Sequence, residues 1–314
     1  MNPPEKLDYV KRSDRIRVSV GDLDQRRNLK IRAFVQLVLR PVFDDLEPKF
    51  GFREMGVRGV APGQYFQDFQ NFPRPHGYGS VFERAHRIGL NRCITHKADG
   101  DGREPQRLER LILETRAEFH AQEALGGASS VGFEPPLGDT VLTGRGRVLH
   151  ILTRPAAPPG QRQVRDVPEE LRFLNVHDFE EPFPTVELLQ HVDDEFEEMD
   201  LGGADGPVGI WGLPNSDVFQ HVNALEYIFG MENRMTALLA AAGLPLERFV
   251  AKRSQVIFRK PSFVGERFTV RCRLFRRADD FIALGSFHKI DPGGARDERP
   301  SVALRLEVGM AMSS

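Results

Sequence analysis

The sequence predicts an α+β fold, with antiparallel sheet wrapped around enclosed helices and laid out in two similar halves. Three observations predict it. Between Val222 and Ala242, apolar residues recur at 222, 225, 228, 229, 231, 235, 238 and 239. Such a helix is apolar around most of its circumference and must be enclosed on nearly every side. Behind it, Phe268, Val270, Cys272 and Leu274 alternate with Thr269, Arg271 and Arg273, and Val302, Leu304, Leu306 and Val308 alternate with Ala303, Arg305 and Glu307. A period of two with one charged face marks antiparallel sheet with one side toward solvent. The third observation is that the first half repeats this order of helix, then strands.

In chain order, Arg15 to Val20 reads as a strand and Gly21 to Asp24 as a turn. A helix is expected over 29–46, with Ile31, Phe34, Val35, Val38, Leu39, Val42 and Leu46 on its apolar side. Strands are expected over 81–94, 111–120 and 140–152. The segment Pro136-Leu-Gly-Asp-Thr-Val echoes Pro261-Ser-Phe-Val-Gly-Glu-Arg-Phe, a turn leading into a strand. Identity between the halves is low, so the repeat is one of architecture. Pro155-Ala-Ala-Pro-Pro-Gly-Gln-Arg suits a linker. After it, 169–205 is acidic and reads as a surface connection with one short helix around 186–196. In the second half, Gly243 and Pro245 end the long helix, and 282–290 supplies a further strand after the turn Ala278-Asp279-Asp280. The expected division is 1–160, a connecting segment 161–205, and 206–314.

Composition excludes several function classes. The 314 residues carry 43 Lys and Arg against 45 Asp and Glu, for a net charge of −2, so overall electrostatics do not favour nucleic acid. Cys93 and Cys272, the only 2 cysteines, offer neither a disulfide framework nor metal-ligand spacing. The stretch Met1 to Asp14 is polar and lacks the apolar run of a signal peptide. The most apolar stretch, Met235 to Leu246, is too short to span a bilayer. No phosphate loop, zinc motif, Gly-x-Ser-x-Gly elbow or dinucleotide fingerprint occurs. The expectation is a cytoplasmic protein, monomer or homodimer, without metal, cofactor, nucleic-acid or membrane partner.

The polar cluster Asp217-Val-Phe-Gln-His221-Val-Asn223-Ala-Leu-Glu-Tyr227 sits against the start of the enclosed helix. An exposed helix N-terminus offers unpaired N–H groups and the positive end of the dipole. An acyl carbonyl placed there has its developing oxyanion stabilised. Asp217, in the loop feeding that terminus, is placed to activate water or to attack, and His221 to polarise or shuttle a proton. The alternative is structural: Asp217 caps the helix, His221 is a satisfied histidine, and Tyr227 packs in the core. Glu232, among apolar helix positions, suits pairing with an arginine. In the first half, Asp22-Leu-Asp24-Gln-Arg-Arg-Asn28-Leu29 has the carboxylates but no His-Val-Asn, as expected of a repeat that kept the fold without the chemistry. His76-Gly-Tyr-Gly, with Arg74 and His86, is either a Pro/Gly loop or the lining of a second site. Lys252, Arg253, Arg259, Lys260, Arg276 and Arg277 form a basic set in the second half, either a solvated face or a rim that steers an anionic substrate.

The cluster resembles the Asp-x-x-x-His-Val-Asn-x-x-x-Tyr signature of hotdog-fold thioesterases, in particular the acyl-ACP and 4-hydroxybenzoyl-CoA thioesterase branches. The resemblance covers 211–310 well and the first half only in plan. It implies a tandem, or double, hotdog acting on a fatty or polyketide acyl thioester of coenzyme A or acyl carrier protein. Asp217, His221 and Asn223 would be catalytic, and Phe219, Tyr227, Arg253, Lys260 and Arg276 would contact substrate. Plant acyl-ACP thioesterases carry Asp-x-Asn-Gln-His-Val-Asn. Their Asp, His and final Asn fall on Asp217, His221 and Asn223, but their middle Asn falls on Phe219, a ring that cannot hydrogen-bond. That departure keeps two alternatives open: another reaction on carrier-bound acyl chains (transfer, dehydration, decarboxylation), or a non-catalytic acyl-binding scaffold.

Overall fold

A computed structural model of the chain describes residues 6–17, 19, 22, 24, 28–33, 35–38, 50–72, 80–97, 106–124, 137–201, 205–216 and 221–310. In the first half, β1 (Val10–Arg17) precedes helical residues 31–33 and 35–38, here α1, and a short helix α2 (Phe52–Val57). Four strands follow: β2 (Ala61–Asn71), β3 (Val81–Lys97), β4 (Gln106–Ala124) and β5 (Leu137–Thr153). A connecting segment carries β6 (Val176–Asp178), α3 (Val186–Leu189) and β7 (Glu197–Glu198). The second half has β8 (Gly209–Ile210), α4 (Ala224–Ala241), β9 (Phe249–Phe258), β10 (Arg267–Arg277), β11 (Asp280–Ile290) and β12 (Val302–Met310).

The strands form one sheet in the order β1-β3-β4-β5-β2-β9-β12-β11-β10-β7, with β8 also on β10. The halves therefore share one plan: a first strand, a helix, then strands ordered so that the second strand lies at the opposite edge from the first. Those far edges, β2 and β9, meet antiparallel, Phe66 opposite Ile257 through Gln70 opposite Arg253, and make the sheet continuous. Among the described residues, the one parallel pairing of named strands is β6 on β3.

Alternation along the strands splits the side chains between two faces. The inner face packs on both helices in one cluster that includes Val35 and Val38 of α1, Ile228, Met231 and Leu239 of α4, and Phe69, Phe119, Val256, Phe287 and Leu304 of the sheet. The enclosure is one-sided: Tyr227, Ile228, Met231, Met235, Leu238 and Leu239 are buried against the sheet, while Phe229, Asn233, Thr236, Ala237, Ala240 and Ala241 are exposed, so α4 is not enclosed all round as the apolar content of 222–242 predicts. At the far end of α4, Gly243 takes φ 70°, a left-handed turn that favours glycine.

The connecting segment carries more apolar anchoring than its acidity suggests. Val164, Leu171 and Leu174 pack with Leu90, Leu111 and Leu113 of the first half. Phe179, Phe183, Val186 and Leu189 cover Phe66 and Ile257 at the seam. Val192 and Phe196 reach Phe275, Ile282 and Leu284 of the second half. The segment is a strap laid across both halves, and its helix is shorter than expected, Val186–Leu189.

Other boundaries moved. The first strand spans Val10–Arg17 rather than 15–20. Strands β2 and β9 were not expected at all. The remainder of the expected helix 29–46 lies outside the described residues, as do Arg74 and the His76 loop. No helix among the described residues is long and apolar enough to cross a membrane.

Candidate functional site at the start of the enclosed helix

The start of α4 is a braced corner. Asn223 is the N-cap: its Oδ1 accepts a hydrogen bond from Leu225 N at 2.9 Å, satisfying one of the donors that a helix start leaves open. The backbone N–H of Asn223 donates to Asn215 O at 2.8 Å. The Asn215 side chain accepts from Gly212 N at 2.8 Å and donates to Glu226 Oε2 at 2.7 Å. Glu226, in the first helical turn, places its charge at the positive end of the dipole. Val222 N donates to Ser262 O at 2.8 Å, and His221 bridges to Phe263, the two rings 5.2 Å apart and near perpendicular. Ser216 pairs with Val222 across the loop. His221 thus stands exposed at the rim, fixed between the helix start and the 262–263 turn. Asp217 and Phe219 lie outside the described residues.

Beneath the corner lies an aromatic cluster. Trp211 stacks on Phe268 at 3.9 Å and meets Tyr227 at 5.2 Å, and Tyr227 also meets Phe287 at 5.1 Å. Tyr227 is 2 % exposed. Burial pushes its hydroxyl up to about 12, against the pull of hydrogen bonding to Ser262. Its ring is part of the core that seats the helix.

The basic residues do not converge here. Arg253 projects from the outer face of β9, on the side of the sheet away from α4, and forms a two-pronged pair with Asp68 at 2.8 and 2.6 Å. Arg276 lies at the end of β10 remote from β8, nine residues from Arg267, or about 30 Å of strand. There it lines an open groove of about 650 Å³ with Glu195, Glu197 and Glu198. Lys260 is nearest in sequence to the 262–263 turn, and it pairs with Asp297 at 2.7 Å. Lys252 pairs with Asp280 and Arg277 with Glu195. The expected basic rim is in large part neutralised by carboxylates that sequence proximity alone does not reveal. Conversely, Asn215, Glu226 and Ser262 were overlooked as supports of the corner. The signal for Asn215 was its place just before the Asp217 loop.

Glu232 lies along α4 where it faces α1. Burial pushes its carboxyl up to about 7, against the pull of Arg32 and Lys30. Arg32 in turn lies over the Phe229 ring, 5.6 Å from its centroid. The expected arginine neighbour is present and belongs to the other half.

No family model matches the chain, and no curated protein matches it in sequence. Solved structures do match over nearly its full length. One, provisionally assigned as an oleoyl thioesterase from Lactobacillus plantarum, aligns with a TM-score of 0.64 at 11% identity over 97% of this chain and 97% of that one. The 12:0-ACP thioesterase from Umbellularia californica aligns at 0.56 and 13% identity, over 96% and 98%. An acyl-ACP thioesterase from Bacteroides thetaiotaomicron aligns at 0.54 and 11% identity, over 96% and 98%. The chain thus has the hotdog fold of these thioesterases.

Proposed function

We propose that this protein is an acyl thioesterase of tandem-hotdog architecture, hydrolysing a fatty or polyketide acyl thioester carried on the phosphopantetheine arm of coenzyme A or acyl carrier protein. One observation carries the reading. A histidine and an asparagine are fixed at the N-terminus of an enclosed helix, in a chain that matches acyl thioesterase structures end to end. Two copies of one strand-and-helix plan, joined edge to edge at β2 and β9, support the tandem description.

In this reading the thioester carbonyl lies at the start of α4, where the helix dipole and first-turn N–H groups oppose the charge that develops on its oxygen. Asp217 acts as base or nucleophile, with its assignment resting on the sequence motif. His221, at the rim, moves the proton. Asn223 holds the helix start in register through Oδ1, and its amide nitrogen retains donors to offer the substrate. Of the basic residues, Lys260 lies closest in sequence to the rim and contributes to steering. Tyr227 supports from below. With Phe219 where plant enzymes place an asparagine, the attacking water is oriented by other groups.

The test is steady-state turnover of a panel of acyl-CoA and acyl-carrier thioesters with mass detection. Free acid is the expected product. A transferred, dehydrated or decarboxylated acyl species, or tight binding without turnover, would replace hydrolysis with one of the alternatives.

A further inference from the structure

The inner face of the first-half sheet is not continuously apolar. One side belongs to the main core: Ala117, Gly146 and Phe69 lie side by side, and Val38 of α1 packs against Gly146 and Phe69. The other side belongs to the cluster of Leu90, Leu111, Leu113 and Leu152 under Phe50 and Met55. Where the two meet, polar side chains are set among the apolar ones, on either side of Val148 and on the levels next to it. Thr115 and Gln67 both lie level with Val148, and His150 lies opposite Gln64. His86 is opposite Ala117, diagonal to Thr115. On the second half's side of the seam, Ser254 lies opposite Phe69, diagonal to Gln67. A bulge at Tyr65 makes this possible. Tyr65 and Phe66 both turn outward into the strap cluster, while Gln64 and Gln67 turn in.

Burial here is complete enough to matter. Gln67, Thr115 and Ser254 are each 0 % exposed. Among the described residues, Gln67 Oε1 and Nε2, Thr115 Oγ1, Ser254 Oγ and Gln64 Nε2 have no hydrogen-bond partner. His86 lies close enough to the Val38 carbonyl to feel it, yet neither ring nitrogen closes a hydrogen bond of normal geometry. Each such atom has lost its hydration without regaining a partner, which destabilises the fold. A shared set of them across neighbouring strands is therefore a built feature that calls for polar partners. The set is also uncharged. Burial holds His86 and His150 at about 4, so both are neutral at ordinary pH. Neutral amide, hydroxyl and imidazole groups suit neutral oxygens rather than a carboxylate or phosphate. Strands lie about 4.8 Å apart, so His86 to Gln67, from β3 to β2, covers about 14 Å.

Resting on the thioesterase reading, we infer that this polar set receives the distal part of the acyl chain, and that the preferred substrate bears hydroxyl or keto oxygens along that part rather than being a plain hydrocarbon. A hydrocarbon laid there would leave the Gln64, Gln67, His86, Thr115 and Ser254 atoms unpaired, whereas an oxygenated chain pairs with them.

The experiment compares two non-hydrolysable acyl-pantetheine thioethers of equal length, one saturated and one with hydroxyl groups in its distal half. Binding is measured by calorimetry, and turnover is measured on the matching thioesters. The hydroxylated ligand should bind at least ~10-fold more tightly. Gln67→Leu and Thr115→Val, which remove orphan groups without adding bulk, should erase or reverse that preference while keeping or raising the melting temperature. Equal binding of both ligands, or a preference untouched in both variants, would overturn the inference. Discrimination in binding with no free acid produced would sink hydrolysis and leave this inference standing. Hydrolysis without discrimination would do the reverse, and binding of neither ligand would sink both.

Discussion

The two helix-start loops repay direct comparison. Counted back from the first helical residues, Ile31 and Ala224, they run in step: Leu29 with Val222, Asn28 with His221, Lys30 with Asn223, and Asp24 with Asp217. The apolar pair is buried in both halves. The polar positions behave differently. In the first half, Asp24 Oδ1 accepts a hydrogen bond from Asn28 N at 2.9 Å, Asp24 N donates to Asn28 O at 2.8 Å, and the Asn28 amide turns back on the same carboxylate. The carboxylate closes its own loop, and Asn28 is 4 % exposed. Lys30 takes the cap position, and its ammonium is a donor that cannot accept from the helix N–H groups. In the second half an acceptor caps the helix and an imidazole stands at the rim. Under the proposed function, one backbone plan holds a loop that only folds and a loop with chemistry to offer, and few side chains decide between them.

The largest expected effect breaks that comparison most directly. Asp217→Asn should lower kcat by ~10²–10⁴-fold, the range typical of a lost general base, with the melting temperature nearly unchanged. His221→Ala should also lower it. Retention of full turnover by Asp217→Asn would move the chemistry elsewhere.

Next comes Glu232, whose counterpart by the same count is Leu39. Its folded value of about 7 lies above the unfolded value of about 4.5. Between those values the folded state holds a proton that the unfolded chain has released, so stability from this group falls as pH rises from about 4.5 to 7. Glu232→Gln should therefore stabilise the protein by ~3 kcal/mol at pH 8 and by little at pH 4. Denaturant melts at both pH values measure this, and an equal shift at both would refute it.

Asn223 sharpens the contrast with Lys30. Asn223→Ala should cost ~1 kcal/mol through the lost cap, and Asn223→Ser should restore the stability. If Ser restores kcat as well, the amide nitrogen has no part in turnover. The smallest effect is expected at Asp24. Asp24→Asn keeps a side-chain acceptor, so it should cost ~1 kcal/mol or less and leave kcat unaltered. A large rate loss there would show that the first-half loop, not the second, carries the reaction.

What was legible follows the same physics. Helix α4 and strands β10 and β12 could be read because each has one dry side and a regular period. Strands β2 and β9 could not. At the seam Gln67 and Ser254 point inward, while Asp68, Arg253 and Gln255 point outward and bond to one another, so neither face shows clean alternation. Of the candidate site, the placement of His221 and Asn223 at the start of α4 was legible because a helix start is local in sequence. Arg253 and Arg276 were misjudged because the face and the end of a strand on which a residue falls are tertiary facts. The polar set was invisible for the same reason, with its members drawn from β2, β3, β4, β5 and β9.

The strap has a consequence for how the halves can change. Between separate identical subunits, every substitution appears on both sides of the dyad at once, and each copy must serve in both places. Here the strap holds one particular pair together at high effective concentration, across the seam and onto both flanks. A substitution is then felt once. One half is free to gain Asn28 and buried amides while the other keeps His221, and neither need remain a competent partner for a copy of itself.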